Sequence, residues 1–233
     1  MEREYDPIHP RGTDWRGLLR RIWAPIGAAL LLIAKFGFAA VKFFSIFIAV
    51  AGYALIWGWR FAIGFVLLIL VHELGHFFEA RRQGLHATWP TFIPFFGAFV
   101  LVKDAPLNPW RNALVSLAGP GYGAIGAAAC WVVGAATGSD LMRALAYAGF
   151  LINLINLLPI GILDGGSIWR SIQLARRSVE APPGQDFAMG STYPIAIPGG
   201  GHTRAVQISV LYGLLALLLV LGMVATHVPQ HRL

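Results

Sequence analysis

Long apolar runs dominate the chain from residue 43 onward. The hydrocarbon core of a bilayer is about 30 Å thick, which roughly 20 helical residues span. Five segments approach or exceed that length with few charged residues, namely residues 43–59, 61–79, 112–137, 141–158 and 205–227. The pattern therefore predicts an all-α polytopic membrane protein with about five transmembrane helices.

Residues 1–42 follow a different pattern. The chain begins with charges of both signs, and the apolar stretch around Pro25 is short. Lys35 and Lys42 are spaced like the polar edge of an amphipathic helix that lies in the membrane interface. We therefore expect an N-terminal tail and an additional interfacial helix here, followed by a transmembrane domain over residues 43–227.

Residues 89–102 are apolar but are interrupted by Pro90, Pro94 and Gly97. They are too few to span the membrane as a helix. Non-helical backbone at membrane depth is tolerated only where protein or a water-filled cavity satisfies its polar groups. We expect residues 92–100 to form a short re-entrant hairpin, the alternative being an ordinary loop with apolar side chains on the interface.

Composition and charge agree with a membrane protein. Hydrophobic residues make up 57% of the chain and charged residues 12%, against about 25% charged in soluble domains. The net charge of +7 would suggest nucleic acid in a soluble protein, but in a multispanning chain cationic residues first report topology. The clusters are Arg16, Arg20, Arg21, Arg81, Arg82, Arg170, Arg176 and Arg177. They predict a multi-pass protein of the cell membrane with a cytoplasmic N-terminus, an outer C-terminus and no nucleic-acid partner.

The predicted second span contains His72, Glu73 and His76 in the pattern H-E-x-x-H. Four-residue spacing places both imidazoles on one face of a helix, with the carboxylate beside them. This pattern is typical of a Zn²⁺ site in which the glutamate is the general base. The alternative is two satisfied core histidines and an incidental glutamate, but each ionisable group at membrane depth then needs a partner.

A second polar group follows the fourth span. Asn156 and Asp164 lie at predicted membrane depth, and Pro159 between them breaks the helix. Zinc held by two histidines accepts a carboxylate oxygen as a third ligand, which makes Asp164 the best candidate. Glu79 and His202 are the competing ligands, and the alternative for Asp164 is the Asp-Gly-Gly turn at the end of an apolar helix.

Four sequence features together resemble the site-2 protease family of intramembrane zinc metalloproteases. They are the H-E-L-G-H helix at 72–76, the F-I-P-F-F-G stretch from 92, the A-G-P at 118–120, and the N-L-L-P of 156–159 that runs to L-D-G-G at 163–166. The match covers residues 61–166. This resemblance is more specific than H-E-x-x-H alone, because motifs that lie far apart in the sequence occur in the same order as in the family.

The resemblance implies a function and a role for each residue. His72, His76 and Asp164 would hold one zinc ion per chain, Glu73 would be the general base, and Asn156 would bind the substrate backbone or the developing oxyanion. Residues 92–100 would correspond to the hairpin beside the substrate groove. The expected reaction is hydrolysis of peptide bonds in transmembrane protein substrates, within or near the lipid bilayer.

The resemblance also implies a domain organisation. Residues 43–227 become a transmembrane protease domain with a catalytic core at 61–166. Independently of the resemblance, the polar composition of residues 167–204, with Pro-Pro-Gly at 182–184 and three glycines at 199–201, predicts a flexible cytoplasmic loop, and the apolar run at 205–227 predicts the last span. The sequence indicates no particular oligomeric state.

Two alternative functions come from other classes of protein. Broken helices with polar groups at mid-membrane also build transport sites, so the chain can be read as a transporter or a metal permease. A catalytically inactive relative that binds transmembrane helices is the second alternative. A transporter needs no general base, which Glu73 would supply, and the intact set of His72, Glu73, His76 and Asp164 argues against an inactive relative.

Overall fold

The computed structural model describes residues 21, 23–25, 27, 44–93, 97–103, 108–177 and 201–227. Within these residues the helices are α1 (Phe44–Trp57), α2 (Trp59–Arg82), α3 (Pro109–Thr137), α4 (Asp140–Asn156), α5 (Asp164–Arg177) and α6 (Gly201–Thr226). Two short strands, β1 (Thr91–Ile93) and β2 (Gly97–Phe99), lie between α2 and α3. Residues 1–43 form a separate unit, and most of the predicted interfacial helix lies outside the described residues.

Three helices are long and apolar enough to cross a membrane, namely α2, α3 and α6. Helix α1 is apolar over the 14 residues from Phe44 to Trp57, and α4 has 17 residues. The architecture is consistent with the predicted all-α membrane protein. The count of five spans stays a prediction, because neither α1 nor α4 reaches the usual spanning length.

The turn between α1 and α2 falls at Gly58. Its φ of 80° lies in the left-handed region, which glycine adopts without a steric cost. The spans predicted over 43–59 and 61–79 leave residue 60 for this turn, which is wrong, since Trp59 and Arg60 form the first turn of α2. The glycine decides the position because neither a tryptophan nor an arginine readily adopts a positive φ.

Small residues let α2, α3 and α4 approach closely. A Cβ atom at Gly64 would overlap Leu145, and one at Gly75 would overlap the backbone carbonyl of Ala118. A Cβ at Gly149 would press on Ala127 of α3. Such contacts are the ordinary way in which helices pack in lipid, where apolar surface gains little by leaving the hydrocarbon.

The chain between α4 and α6 differs from its prediction. We predict a flexible loop over 167–204, which is wrong at both ends, because α5 continues to Arg177 and α6 begins at Gly201. Helix α5 buries Ile168, Ile172 and Ala175, which recur at helical spacing, while four of its six exposed residues are polar. Its low overall hydrophobicity hides this amphipathic pattern. Residues 178–200 lie outside the described part of the chain.

A β-hairpin occupies the predicted position of the Pro-interrupted segment. Strands β1 and β2 pair antiparallel, with Phe92 opposite Ala98. Phe92 is buried against α1 and α2, and its backbone N–H donates a hydrogen bond to Ser45 Oγ of α1 at 3.2 Å. The depth of the hairpin in the membrane stays a prediction.

We predict that the two ends of α6 lie on opposite sides of the membrane. Single cysteines at Thr203→Cys, exposed in the first turn of α6, and His227→Cys, each in a Cys130→Ala background, should react with an impermeant thiol reagent from opposite faces. The first should be labelled only in inverted vesicles and the second only in intact cells. Labelling of both from the same face would contradict a spanning α6.

Candidate metal centre

Three potential metal ligands meet where α2 faces the start of α5. His72 and His76 lie one turn apart on α2, and their Nε2 atoms are 3.2 Å from each other. Asp164 places Oδ2 3.2 Å from His72 Nε2 and Oδ1 3.3 Å from His76 Nε2. The structure thus brings together the three residues that the sequence predicts as ligands.

The size of this triangle fits zinc. Tetrahedral zinc lies about 2.0–2.1 Å from nitrogen and oxygen ligands, so neighbouring ligand atoms are about 3.3 Å apart. The His72–His76 separation of 3.2 Å matches that edge length, and Asp164 comes within 3.2 and 3.3 Å of the two Nε2 atoms through its two different oxygens. Among the described residues, this is the cluster of histidine, cysteine and acidic side chains whose ligand atoms converge in this way.

The histidine tautomers are fixed by hydrogen bonds on the far side of each ring. His72 Nδ1 donates to Asn153 Oδ1 at 2.7 Å, and Asn153 Nδ2 donates in turn to the Gly149 carbonyl at 2.7 Å. His76 Nδ1 donates to the Val115 carbonyl at 2.8 Å. Both Nε2 atoms therefore present lone pairs to the same point, an arrangement that only a shared cation or proton stabilises.

Asn153 has no predicted role in the sequence. It is only 1% exposed and holds His72 in orientation from α4. The available signal was an amide within an apolar helix, three residues before Asn156, since such a group needs a buried partner. The Val115 carbonyl carries no signal in the sequence, because any residue supplies one.

Two glycines of α3 lie directly against the centre. A Cβ atom at Gly119 would overlap the His76 imidazole, and one at Gly123 would overlap the Asn153 amide. Glycines in a membrane helix usually serve close helix packing. Here they also leave the space that the His76 imidazole and the Asn153 amide occupy.

The break after α4 delivers Asp164 to the histidines. Helix α4 ends at Asn156, and α5 starts at Asp164, so this aspartate begins a helix and does not end one. Tyr212 of α6 donates its hydroxyl hydrogen to the Leu157 carbonyl, one of the acceptors that the helix end exposes. Side chains at Gly165 and Gly166 would collide with the carbonyls of the same connection. The Asp-Gly-Gly sequence is thus required by close backbone packing.

The centre opens into a cavity of about 330 Å³. Glu73, which is 7% exposed, and Asn156 both line it, and so does strand β2 with the residues that follow it. Polar side chains from α3 and α5 complete the wall, namely Asn112, Ser116 and Ser167. The predicted base, the predicted substrate-binding amide and the hairpin thus share one cavity with the ligand cluster.

The two competing ligands lie elsewhere. Glu79 accepts hydrogen bonds from Arg82 at 2.7 Å and from Gln83 at 2.7 Å. His202 is exposed in the first turn of α6, and not in the Gly-rich loop in which the sequence suggests it. Neither belongs to the converging cluster.

Comparison with known proteins extends this picture. Residues 60–148 match the model of peptidase family M50. A Synechocystis protein named "Putative zinc metalloprotease sll0528" is 30% identical over 109 residues, which are 45% of this chain and 28% of that protein. The chain therefore spans little more than a quarter of that relative.

The family match covers His72, Glu73 and His76, while Asn156 and Asp164 follow its last residue. Their assignment rests on the geometry given above. The resemblance to the site-2 proteases is confirmed over residues 60–148, which are similar to peptidase family M50, the site-2 protease family.

Proposed function

We propose that this chain is an intramembrane zinc metalloprotease that hydrolyses peptide bonds of transmembrane protein substrates. The observation that carries the proposal is the ligand triangle of His72, His76 and Asp164, with Glu73 in the same cavity. An apolar helix long enough to span a membrane presents three of these four groups. The similarity to a metallopeptidase family supports the same reaction.

His72, His76 and Asp164 would hold the zinc ion. Three protein ligands are the number typical of catalytic sites, in which one position remains for water or substrate. When bound, zinc supplies Lewis acidity, which lowers the pKa of water and polarises a carbonyl group. Asn153 and the Val115 carbonyl keep both imidazoles in the tautomer that this role needs.

Glu73 would move the proton. Its carboxylate accepts a proton from the attacking water and passes it to the leaving amine as the peptide bond breaks. Glu73 directly follows His72 on α2, and both residues line the same cavity. The carboxylate needs no further group for this role, because the same residue acts first as base and then as acid.

Asn156 and β2 would hold the substrate backbone. A helical substrate keeps its carbonyls hydrogen-bonded, so it must unwind before hydrolysis. Strand β2 pairs with β1 along one edge, and residues Ala98 and Phe99 line the catalytic cavity. A substrate segment that pairs as a strand with the other edge of β2 would be held in an extended conformation in front of Asn156.

We predict that Glu73→Gln abolishes proteolysis but leaves zinc bound. The amide has nearly the same shape as the carboxylate but accepts no proton, so the rate should fall by about 10²- to 10⁴-fold. The measurement compares membrane-protein fragments released in cells that carry the native chain or the variant. Identical fragment sets would remove the support for a protease, and retained metal flux in both would favour the transporter.

We predict that Asp164→Ala loses zinc and activity together, because two histidines remain as the only protein ligands. Zinc per purified chain is measured alongside fragment release. Glu79→Gln and His202→Ala are matched controls that remove the competing ligands and should keep both properties. A purified Asp164→Ala protein with one tightly bound, active zinc would exclude Asp164 as a ligand.

We predict that Asn153→Ala weakens zinc binding by about 10- to 100-fold, the usual effect of removing a hydrogen bond to a ligand histidine. Titration with a competing chelator gives the affinity. Asn156→Ala serves as the comparison, since it should lower cleavage with little change in zinc affinity. Equal zinc affinity in Asn153→Ala and the native protein would contradict the orienting role.

A further inference from the structure

One serine of α3 breaks a pattern that the other helical hydroxyls follow. Serine and threonine side chains inside a helix commonly donate to the carbonyl four residues earlier, which keeps the hydroxyl satisfied. The described hydroxyls that have such a carbonyl within their own helix do this, namely Thr137, Ser171, Ser209 and Thr226. Ser116 is the exception, and its hydroxyl forms no hydrogen bond with another described residue.

The Ser116 hydroxyl opens into the catalytic cavity. The residue is only 7% exposed, yet it lines that cavity. Within the described part of the chain, every fully enclosed side-chain nitrogen or oxygen has a hydrogen-bond partner. The Ser116 oxygen has none, so it is not enclosed, and the cavity is the space that it meets. A buried hydroxyl of this kind needs a partner from outside the fold, either water or a bound molecule.

Helix α3 holds this hydroxyl beside the ligand cluster. The carbonyl of Val115, the residue before Ser116, accepts the hydrogen bond from His76 Nδ1 at 2.8 Å. One turn further along α3, Gly119 makes room for the same imidazole. Helix α3 therefore contacts the ligand His76 on both sides of Ser116. A group supported in this way keeps one position relative to the cluster and can orient a bound molecule.

The cavity offers more acceptors than free donors. Glu73 and Asp164 line it with carboxyl groups, which only accept hydrogen bonds when ionised. Asn112 lines it too, but its amide donates to Ser171 Oγ at 2.8 Å. An extended substrate that pairs with β2 has carbonyls on its other edge that the hairpin does not reach. Each of those carbonyls needs a donor, because an unpaired buried carbonyl is costly.

We propose that Ser116 is a substrate-binding residue, whose hydroxyl donates a hydrogen bond to a backbone carbonyl next to the peptide bond that is cleaved. This inference rests on the proposed protease function. Asn156 would bind the same backbone from the end of α4, so two helices would hold the unwound segment on the side away from the hairpin. Every peptide has such carbonyls, so the contact does not depend on the sequence of the substrate.

The test removes the hydroxyl without breaking a hydrogen bond of the described fold. Ser116→Ala is compared with Ser209→Ala, which makes the same change on α6, outside the cavity, and removes a hydrogen bond to the Ala205 carbonyl. The probes are the membrane proteins whose fragments differ between cells with the native chain and cells with Glu73→Gln. Ser116→Ala should slow the release of every such fragment about tenfold or more, because a buried acceptor loses its donor. Its zinc content and Tm should match the native chain, and Ser209→Ala should release fragments at the native rate.

A second measurement tests binding without turnover. The Glu73→Gln chain is expected to retain zinc and to leave its substrates uncut, so the amount of uncut substrate that copurifies with it reports binding. Adding Ser116→Ala to this chain should lower that amount about tenfold at equal zinc content. A purely structural serine would instead change zinc content or Tm.

Several outcomes would overturn the role of Ser116 while leaving the protease intact. They are native release rates in Ser116→Ala, equal amounts of uncut substrate on both Glu73→Gln chains, and slower release of only some fragments, which would indicate a contact with substrate side chains. Loss of zinc or of folding in Ser116→Ala would show a structural role and would also overturn it. Identical fragments from native and Glu73→Gln cells would refute the proteolytic function itself.

Discussion

The structure depends on holding three ionisable side chains within about 3 Å of each other inside an apolar bundle. Two imidazoles and a carboxylate would each be costly at membrane depth if they stood alone. A cation shared by the three groups would balance the charge of the carboxylate, and each imidazole has a hydrogen-bond acceptor on its far side. Each helix at the centre supplies a ligand, a hydrogen-bond acceptor or a glycine that leaves room for a side chain. The ligand cluster therefore explains why these residues occur in the bundle.

The glycines of α3 illustrate that dependence. In most membrane proteins small residues simply let two helices approach. Here Gly119 and Gly123 make room for the imidazole of His76 and the amide of Asn153, and Gly165 and Gly166 let the chain pass close to the end of α4. The Tyr212 hydroxyl then satisfies a carbonyl that the break leaves exposed. The apolar side chains thus pack in positions that the polar contacts determine, because hydrogen bonds tolerate less displacement than apolar contacts do.

The sequence predicted the ligand cluster well because polar residues in apolar runs give a strong signal. His72, His76 and Asp164 each needed a partner, and the structure brings them together. The position of the turn between α1 and α2 was harder to predict, since it depends on the backbone freedom of Gly58 and not on the charge of Arg60. Helix α5 was missed because its polar composition resembles that of a loop, although its buried residues recur at helical spacing. Asn153 acts through a tertiary contact that the order of residues does not reveal.

The ligand cluster also joins distant parts of the chain. His76 and Asp164 are separated by α3, α4 and both connections, yet their side chains meet. A metal ion held there acts as a cross-link that closes a loop from residue 76 to residue 164. By analogy with a disulfide, closing a loop of that size removes about 4–5 kcal/mol of conformational freedom from the unfolded chain. The same atoms would therefore serve both reaction and assembly, and metal loss would lower the stability of the folded bundle as well as stop the reaction.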